Sequence, residues 1–265
     1  MPPKTLTLHE AAESLGVHYM TVYRYVRLGM LPATKTKGAW AVSAADLERF
    51  SATPKPKRGR APWKDRFRSR LLAGDEAGAW GVIEAALASG LAPRDVYLKV
   101  ISGAMRDIGE AWHRDEIGIA AEHRATAITQ RLVGRLSQTM ARRGPCRGSV
   151  VLAGPEGERH DLPLAIISDL LRSEGYDVTN LGCDLPPESI AEVVDENPGA
   201  VLGLSVSGPQ GRKKLRVAVT TVRKGRPEVR IMVGGIAADA QLAKSVAADV
   251  YVEDVDAALE YLASA

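Results

Sequence analysis

A change of hydrophobic period near residue 147 is the feature that most restricts the fold of this chain. From 147 to 265, five short apolar runs, "SVVLAG", "YDVTNLG", "AVLGLSVS", "RIMVGG" and "ADVYVE", alternate with five stretches of helical period, "PLAIISDLLRSEG", "PESIAEVVDEN", "KKLRVAVTTVRKG", "AQLAKSVA" and "DAALEYLASA". Strands that are apolar at nearly every position are buried on both faces, and a helix is the usual crossover between parallel strands. The pattern predicts a five-stranded parallel, doubly wound, flavodoxin-like domain over 147–265. Ligands of such sheets sit beyond the carboxyl ends of the strands. The loops to inspect are therefore "PEGERHDLP", "SVSGPQG" and "GGIAAD".

The preceding segment, 62–146, has helical period throughout and no strand-like run. Four helices are expected, "WKDRFRSRLLAG", "DEAGAWGVIEAALASG", "APRDVYLKVISGAMRDIGEAW" and "IAAEHRATAITQRLVGRLSQTMARR", and their short connections predict an antiparallel four-helix bundle. Residues 53–61, "TPKPKRGRA", are rich in Pro, Gly and cations and read as an extended linker. Over 1–52, Ala11, Ala12, Leu15, Val17, Val22 and Val26 recur at helical spacing around a Gly-centred turn. After them, "LPATKTKGAWAVS" reads as two strands and "SAADLERF" as a helix capped by Ser43. The whole is a multidomain α and α/β chain: winged helix-turn-helix, linker, bundle, parallel sheet.

Charge supports that division. Residues 1–60 hold ten Lys or Arg against four Asp or Glu; the total of 35 against 32 leaves 25 against 28 for the rest. A basic end on an otherwise slightly acidic chain is suited to a polyanion. On the winged helix, His18, Thr21, Arg24, Arg27, Lys35 and Lys37 are the candidates for contact with double-stranded DNA, the cations on phosphates and Thr21 and Arg24 on base edges. The two cysteines, Cys146 and Cys183, form no metal or disulfide motif. No apolar run is long enough for a membrane span and no signal segment is visible, so a cytoplasmic protein without membrane contact is expected.

Two groups of polar residues stand out. In "GEAWHRDEIGIAAEH", Trp112, His113, Glu122 and His123 fall where the bundle pattern predicts an inner face. Buried there, each polar group would need an internal partner, and the sequence shows no partner set. In the loop after the first sheet strand, His160 is flanked by Glu158 and Asp161. A carboxylate that accepts one ring proton of a histidine is the arrangement by which metal-bound imidazoles are oriented.

These residues carry three resemblances. The first segment, with "TVYRYVRLGMLPA", a basic hairpin and "DLERF", resembles the excisionase-like winged helices of the MerR superfamily. The sheet domain resembles the cobalamin-binding domains of methionine synthase and corrinoid-dependent mutases, which share D-x-H-x-x-G, S-x-L and G-G motifs. Glu158, His160 and Pro163 stand at the first motif, forty-one residues precede Ser205 and Ser207, and twenty-six more lead to Gly234 and Gly235. Pro163 replaces a glycine, which the first turn of a helix accepts. Trp112, nine residues, then Glu122 and His123 match the helical cap of cobalamin-dependent light-sensing repressors of the CarH type.

The last resemblance implies adenosylcobalamin as cofactor, with His160 as lower axial ligand of cobalt and Glu158, Asp161, Ser205, Ser207, Gly234 and Gly235 around it. Trp112 and Glu122 would meet the adenosyl group with His123 nearby, and His113 would take the upper cobalt position after photolysis. It implies a non-enzymatic regulator that binds operator DNA in the dark as a homo-oligomer, dimer or tetramer, and is dissociated by light. Two alternatives share the architecture: a regulator sensing another tetrapyrrole, or cobalamin without light, and a corrinoid protein carrying methyl groups for a methyltransferase.

Overall fold

In a computed structural model describing residues 5–17, 19–27, 31–36, 39–52, 62–138, 140 and 145–264, the chain divides into two units, 1–128 and 129–265. The first opens on β1 (Thr5–Thr7), whose last residue caps α1 (Leu8–Leu15). Thr7 Oγ1 accepts from Glu10 N at 3.3 Å, and the Glu10 carboxylate accepts from Thr7 N at 2.7 Å, a reciprocal pairing of otherwise orphaned N–H groups. Gly16 (φ 64°) then ends the helix. After α2 (Tyr19–Arg27) come the expected hairpin strands β2 (Thr34–Thr36) and β3 (Ala39–Ser43), followed by α3 (Ala44–Ala52). Ser43 caps α3 as predicted, accepting from Asp46 N at 3.0 Å. β3 lies between β1 and β2 in an antiparallel sheet, with Leu6 opposite Val42 and Lys35 opposite Trp40. β1 was not expected, because three residues are too few for a period to show. Leu8, Ala11, Val22, Val26, Leu31 and Leu47 form a small core.

The helical segment follows as α4 (Trp63–Ala73), α5 (Glu76–Ala88), a third stretch, and α8 (Ile119–Ser137). The third stretch is one predicted helix found in three parts: α6 (Pro93–Asp95), a π-helical turn Val96–Ile101, and α7 (Ser102–His113). Gly74 (φ 72°) ends α4, and Asp75 caps α5 by accepting from Gly78 N at 2.8 Å. Phe67, Leu71, Ile83, Tyr97, Ile101 and Ile108 are fully buried. Lys64 pairs with Asp107 at 2.7 Å and Arg124 donates to Leu72 O at 2.6 Å, tying α7 and the start of α8 to α4. α8 ends at Ser137 with a turn at Gln138, short of the expected Arg143; residues 141–144 lie outside the described residues.

The second unit holds the predicted alternation: β4 (Ser149–Ala153), α9 (Asp161–Ser173), β5 (Asp177–Asn180), α10 (Pro187–Glu196), β6 (Val201–Ser205), α11 (Pro209–Gly225), β7 (Ile231–Gly234), α12 (Ala240–Ser245), β8 (Val250–Tyr251) and α13 (Val255–Ala263). All four strand pairings are parallel, in the order β5-β4-β6-β7-β8. Each sheet face has its own core: Val151, Leu202 and Leu204 under α10, α11 and α12, and Val150, Leu152 and Met232 under α9 and α13. The order reverses between β4 and β6, so the chain leaves these two strands in opposite directions, the place at the carboxyl edge where sheets of this kind bind ligands.

Candidate functional site

Glu158 organises that edge. It lies in the loop between β4 and α9, 1% exposed, and its two carboxylate oxygens face two different loops. Oε1 accepts from Arg159 N and His160 N, each at 2.9 Å, and is hydrogen-bonded to the His160 ring at Nδ1. Oε2 accepts from Ser207 N, and from Gly208 N at 3.1 Å, in the loop after β6. Burial raises the pKa of this carboxyl, but the His160 ring and the backbone N–H groups outweigh it and hold it at about 2. The anion therefore persists at every ordinary pH and joins the two strand-end loops at the reversal point.

His160 immediately precedes α9, with its imidazole 59% exposed. The carboxylate at Nδ1 fixes the plane of the ring, so any metal held by this imidazole would be met by Nε2. The sequence offered both Glu158 and Asp161 for this task, and Glu158 performs it. Asp161 opens α9 and hydrogen-bonds Cys183, whose thiol is pushed up in pKa first by burial and then by this carboxylate. Pro163 sits exposed in the first turn of α9, where its missing N–H costs little.

Ser205 ends β6 beside Gly234 at the end of β7. Gly235 has φ +102°, and a Cβ there would fall 2.3 Å from Val206 O, so the β6 and β7 loops touch through bare backbone. The sequence-predicted residues of the second unit, Glu158, His160, Asp161, Ser205, Ser207, Gly234 and Gly235, thus all stand at one edge of one sheet. Gly208 was missed, although "SVSGPQG" marked the loop: its N–H serves the same carboxylate. Ile236, next to the glycine pair and 83% exposed, was missed as well.

The residues of the first unit required a correction. Trp112 and His113 end α7, and Glu122 and His123 lie in the first turn of α8, but they are not core residues. Trp112 is 37% exposed, and His113 and His123 are exposed, because the chain leaves the helix at Arg114 and opens this end to solvent. The Trp112 and His113 rings contact each other, centroids 4.7 Å apart. Glu122 does find partners: His123 Nδ1 at 2.6 Å and Thr126 Oγ1 at 2.8 Å. On the winged helix, Thr21 is half-buried and Lys35 exposed, with its ammonium 6.0 Å from the Trp40 ring centroid. His18, Lys37 and the side chains of Arg24 and Arg27 lie outside the described residues.

Residues 148–263 match a B12 binding domain. Residues 63–137 match a second B12 binding domain model, and residues 5–52 a helix-turn-helix domain. Cobalamin binding is supported by the two adjoining matches. The chain is 27% identical over 174 residues to the dimethylamine corrinoid protein of Methanosarcina barkeri, covering 64% of this chain and 81% of that one. To the trimethylamine corrinoid protein of the same organism it is 27% identical over 195 residues, covering 70% and 88%. The solved structure of the M. barkeri monomethylamine corrinoid protein shares the fold, with a TM-score of 0.68 at 20% identity over 77% of this chain and 98% of that one. The matched relatives are corrinoid proteins rather than light-sensing regulators, which corrects the emphasis of the sequence resemblance. Among the described residues, no helix is long and apolar enough to cross a membrane.

Proposed function

We propose that this protein is a corrinoid-binding transcriptional regulator, in which a cofactor held by His160 governs an N-terminal DNA-binding domain. The observation that carries the reading is the buried Glu158 carboxylate, which orients an exposed imidazole where the strand order reverses. A single oriented imidazole suits a metal that would arrive already held by its own macrocycle. It needs no cluster of protein ligands, and the described residues contain no such cluster. The bare Gly234–Gly235 backbone packs directly on the backbone of Val206 and Val252, which sets the β7 loop against the β6 loop at this edge.

His160 would hold the cobalt, with Glu158 holding its ring. Adenosylcobalamin is the form proposed, since Trp112, Glu122 and His123 match a cap that meets an adenosyl group, and His113, whose ring contacts Trp112, would be a further histidine able to ligate the metal. The cofactor would supply a light-labile cobalt–carbon bond. The polypeptide must then contact two ligand states differently, since equal affinity for both shifts no equilibrium. Several winged helices joined in one oligomer would bind repeated half-sites of operator DNA far more tightly than one alone.

The test is DNA binding of the full chain loaded with adenosylcobalamin, in darkness and after green light. The proposal expects affinity to fall by roughly tenfold or more on illumination. Affinity indifferent both to light and to the corrinoid would remove the regulatory reading.

A second reading has its own support, and the relatives favour it over light sensing: a corrinoid protein that carries a methyl group for a partner methyltransferase. Under it, methylcobalamin on this chain would be consumed by a partner enzyme and a methyl acceptor. Deletion of the winged helix would leave that transfer unchanged. The helix-turn-helix match over 5–52 is what this reading leaves without a use.

A further inference from the structure

Two neighbouring helices on one face of the sheet present opposite charge to solvent. Leu215, Ala218, Val219 and Val222 anchor α11 to the core. Its outer side carries Lys213, Arg216, Val217, Thr220 and Lys224, all exposed and at helical spacing, with Val217 50% exposed in the middle. Cations to either side of this stripe are already committed: Arg212 to Asp239 at 2.9 Å, Lys214 to Glu156 at 3.0 Å and Arg223 to Asp249 at 3.0 Å. Lys213, Arg216 and Lys224 have no acidic partner among the described residues.

α10 packs against α11 and shows the reverse. With Ile190 and Val194 buried, Glu188, Glu192 and Glu196 recur every fourth residue on its exposed side, again without a basic partner among the described residues. They line a groove of about 530 Å³ with Asp195, Ala191 and Thr221. Like charges four apart on a helix repel one another, so a cationic partner would relieve the column. The two arrays also agree in length: about 12 Å from Glu188 to Glu196 and about 16 Å from Lys213 to Lys224, at 1.5 Å per residue.

We infer that this face docks a second copy of the chain about a two-fold axis, the cationic stripe of α11 in each copy lying on the carboxylate column of α10 in the other. A nucleic acid would meet the carboxylates and a purely basic segment would meet α11. The surface is matched by a partner bearing both signs in reversed order, which a two-fold rotation of this same face supplies. The inference does not depend on the corrinoid.

Sedimentation of the full chain, with and without cobalamin, at about 50 mM and about 500 mM salt tests it, because a contact made of exposed charges weakens as the screening length shortens. The expected result is self-association at low salt that weakens at high salt. The variants K213E/R216E and E188K/E192K should each associate at least tenfold more weakly, and an equimolar mixture of the two should recover association. Melting curves check that both fold, with K213Q/R216Q as a milder replacement. A wild-type chain that stays single, variants that associate like wild type, or a mixture that fails to recover would each overturn the inference.

Discussion

A histidine at the head of a surface loop turns freely unless something holds one ring nitrogen, and here the buried Glu158 carboxylate holds Nδ1 while also fastening the Ser207–Gly208 backbone. Replacing Glu158 by Gln keeps the shape but sets an amide N–H₂ against N–H donors and removes the charge. Corrinoid affinity of E158Q should fall by about tenfold or more, the usual cost of losing the group behind a metal ligand; an absorbance titration with cobalamin measures it, and wild-type affinity would contradict the assignment. At this scale the sequence was informative where a motif states the chemistry, as for Glu158, His160 and the glycine pair. It misled where it relied on period alone. Helical spacing assigned Trp112 and Glu122 to an inner face, but that face of α7 is taken by Ile108 and Ala111 while Trp112 is 37% exposed, and Glu122 is partly buried with its own partners, His123 and Thr126.

Among the elements, the contact between the β6 and β7 loops is the one that tolerates least. A methyl group on Gly235 would have to occupy both a left-handed backbone conformation and a position 2.3 Å from Val206 O. Gly235→Ala should destabilise the sheet domain by about 1–3 kcal/mol and lower its melting temperature by several degrees; an unchanged melting curve would refute the contact. α12 depends on its cap: Asp239 accepts from Leu242 N at 2.6 Å and pairs with Arg212, and both lower its pKa below the ordinary carboxylate value. A group depressed in the folded state contributes fully above its unfolded pKa and loses that contribution as pH falls through the folded value. Asp239→Asn should therefore lower stability near neutrality and narrow its gap to wild type as pH drops below about 4, as followed by acid melting curves. The five strands and their helices were legible because buried strands and crossover helices differ in period. The π-helical turn at Val96–Ile101 was not, since widening one turn leaves the spacing of buried Val96, Val100 and Ile101 nearly as an ordinary helix would have it.

For the molecule as a whole, the account requires that DNA contact and corrinoid uptake reside in separate parts of the chain. The substitutions Arg24→Ala and Lys35→Ala should each weaken DNA binding and reduce its salt dependence by about one counterion, leaving the cobalamin titration unchanged. A variant that lost both together would contradict the modular reading. The change from helical period to alternating strands and helices was visible in the sequence, but a response of the N-terminal domain to a ligand state would be a property of two conformations, and a sequence pattern records only one fold. The most direct test is whether His160 binds cobalt. Electron paramagnetic resonance of the chain carrying cob(II)alamin, prepared with ordinary and with nitrogen-15 histidine, should show the nitrogen splitting change from a triplet to a doublet, and the change should be absent in His160→Ala. A splitting that ignores the histidine label would mean that this imidazole does not hold the metal.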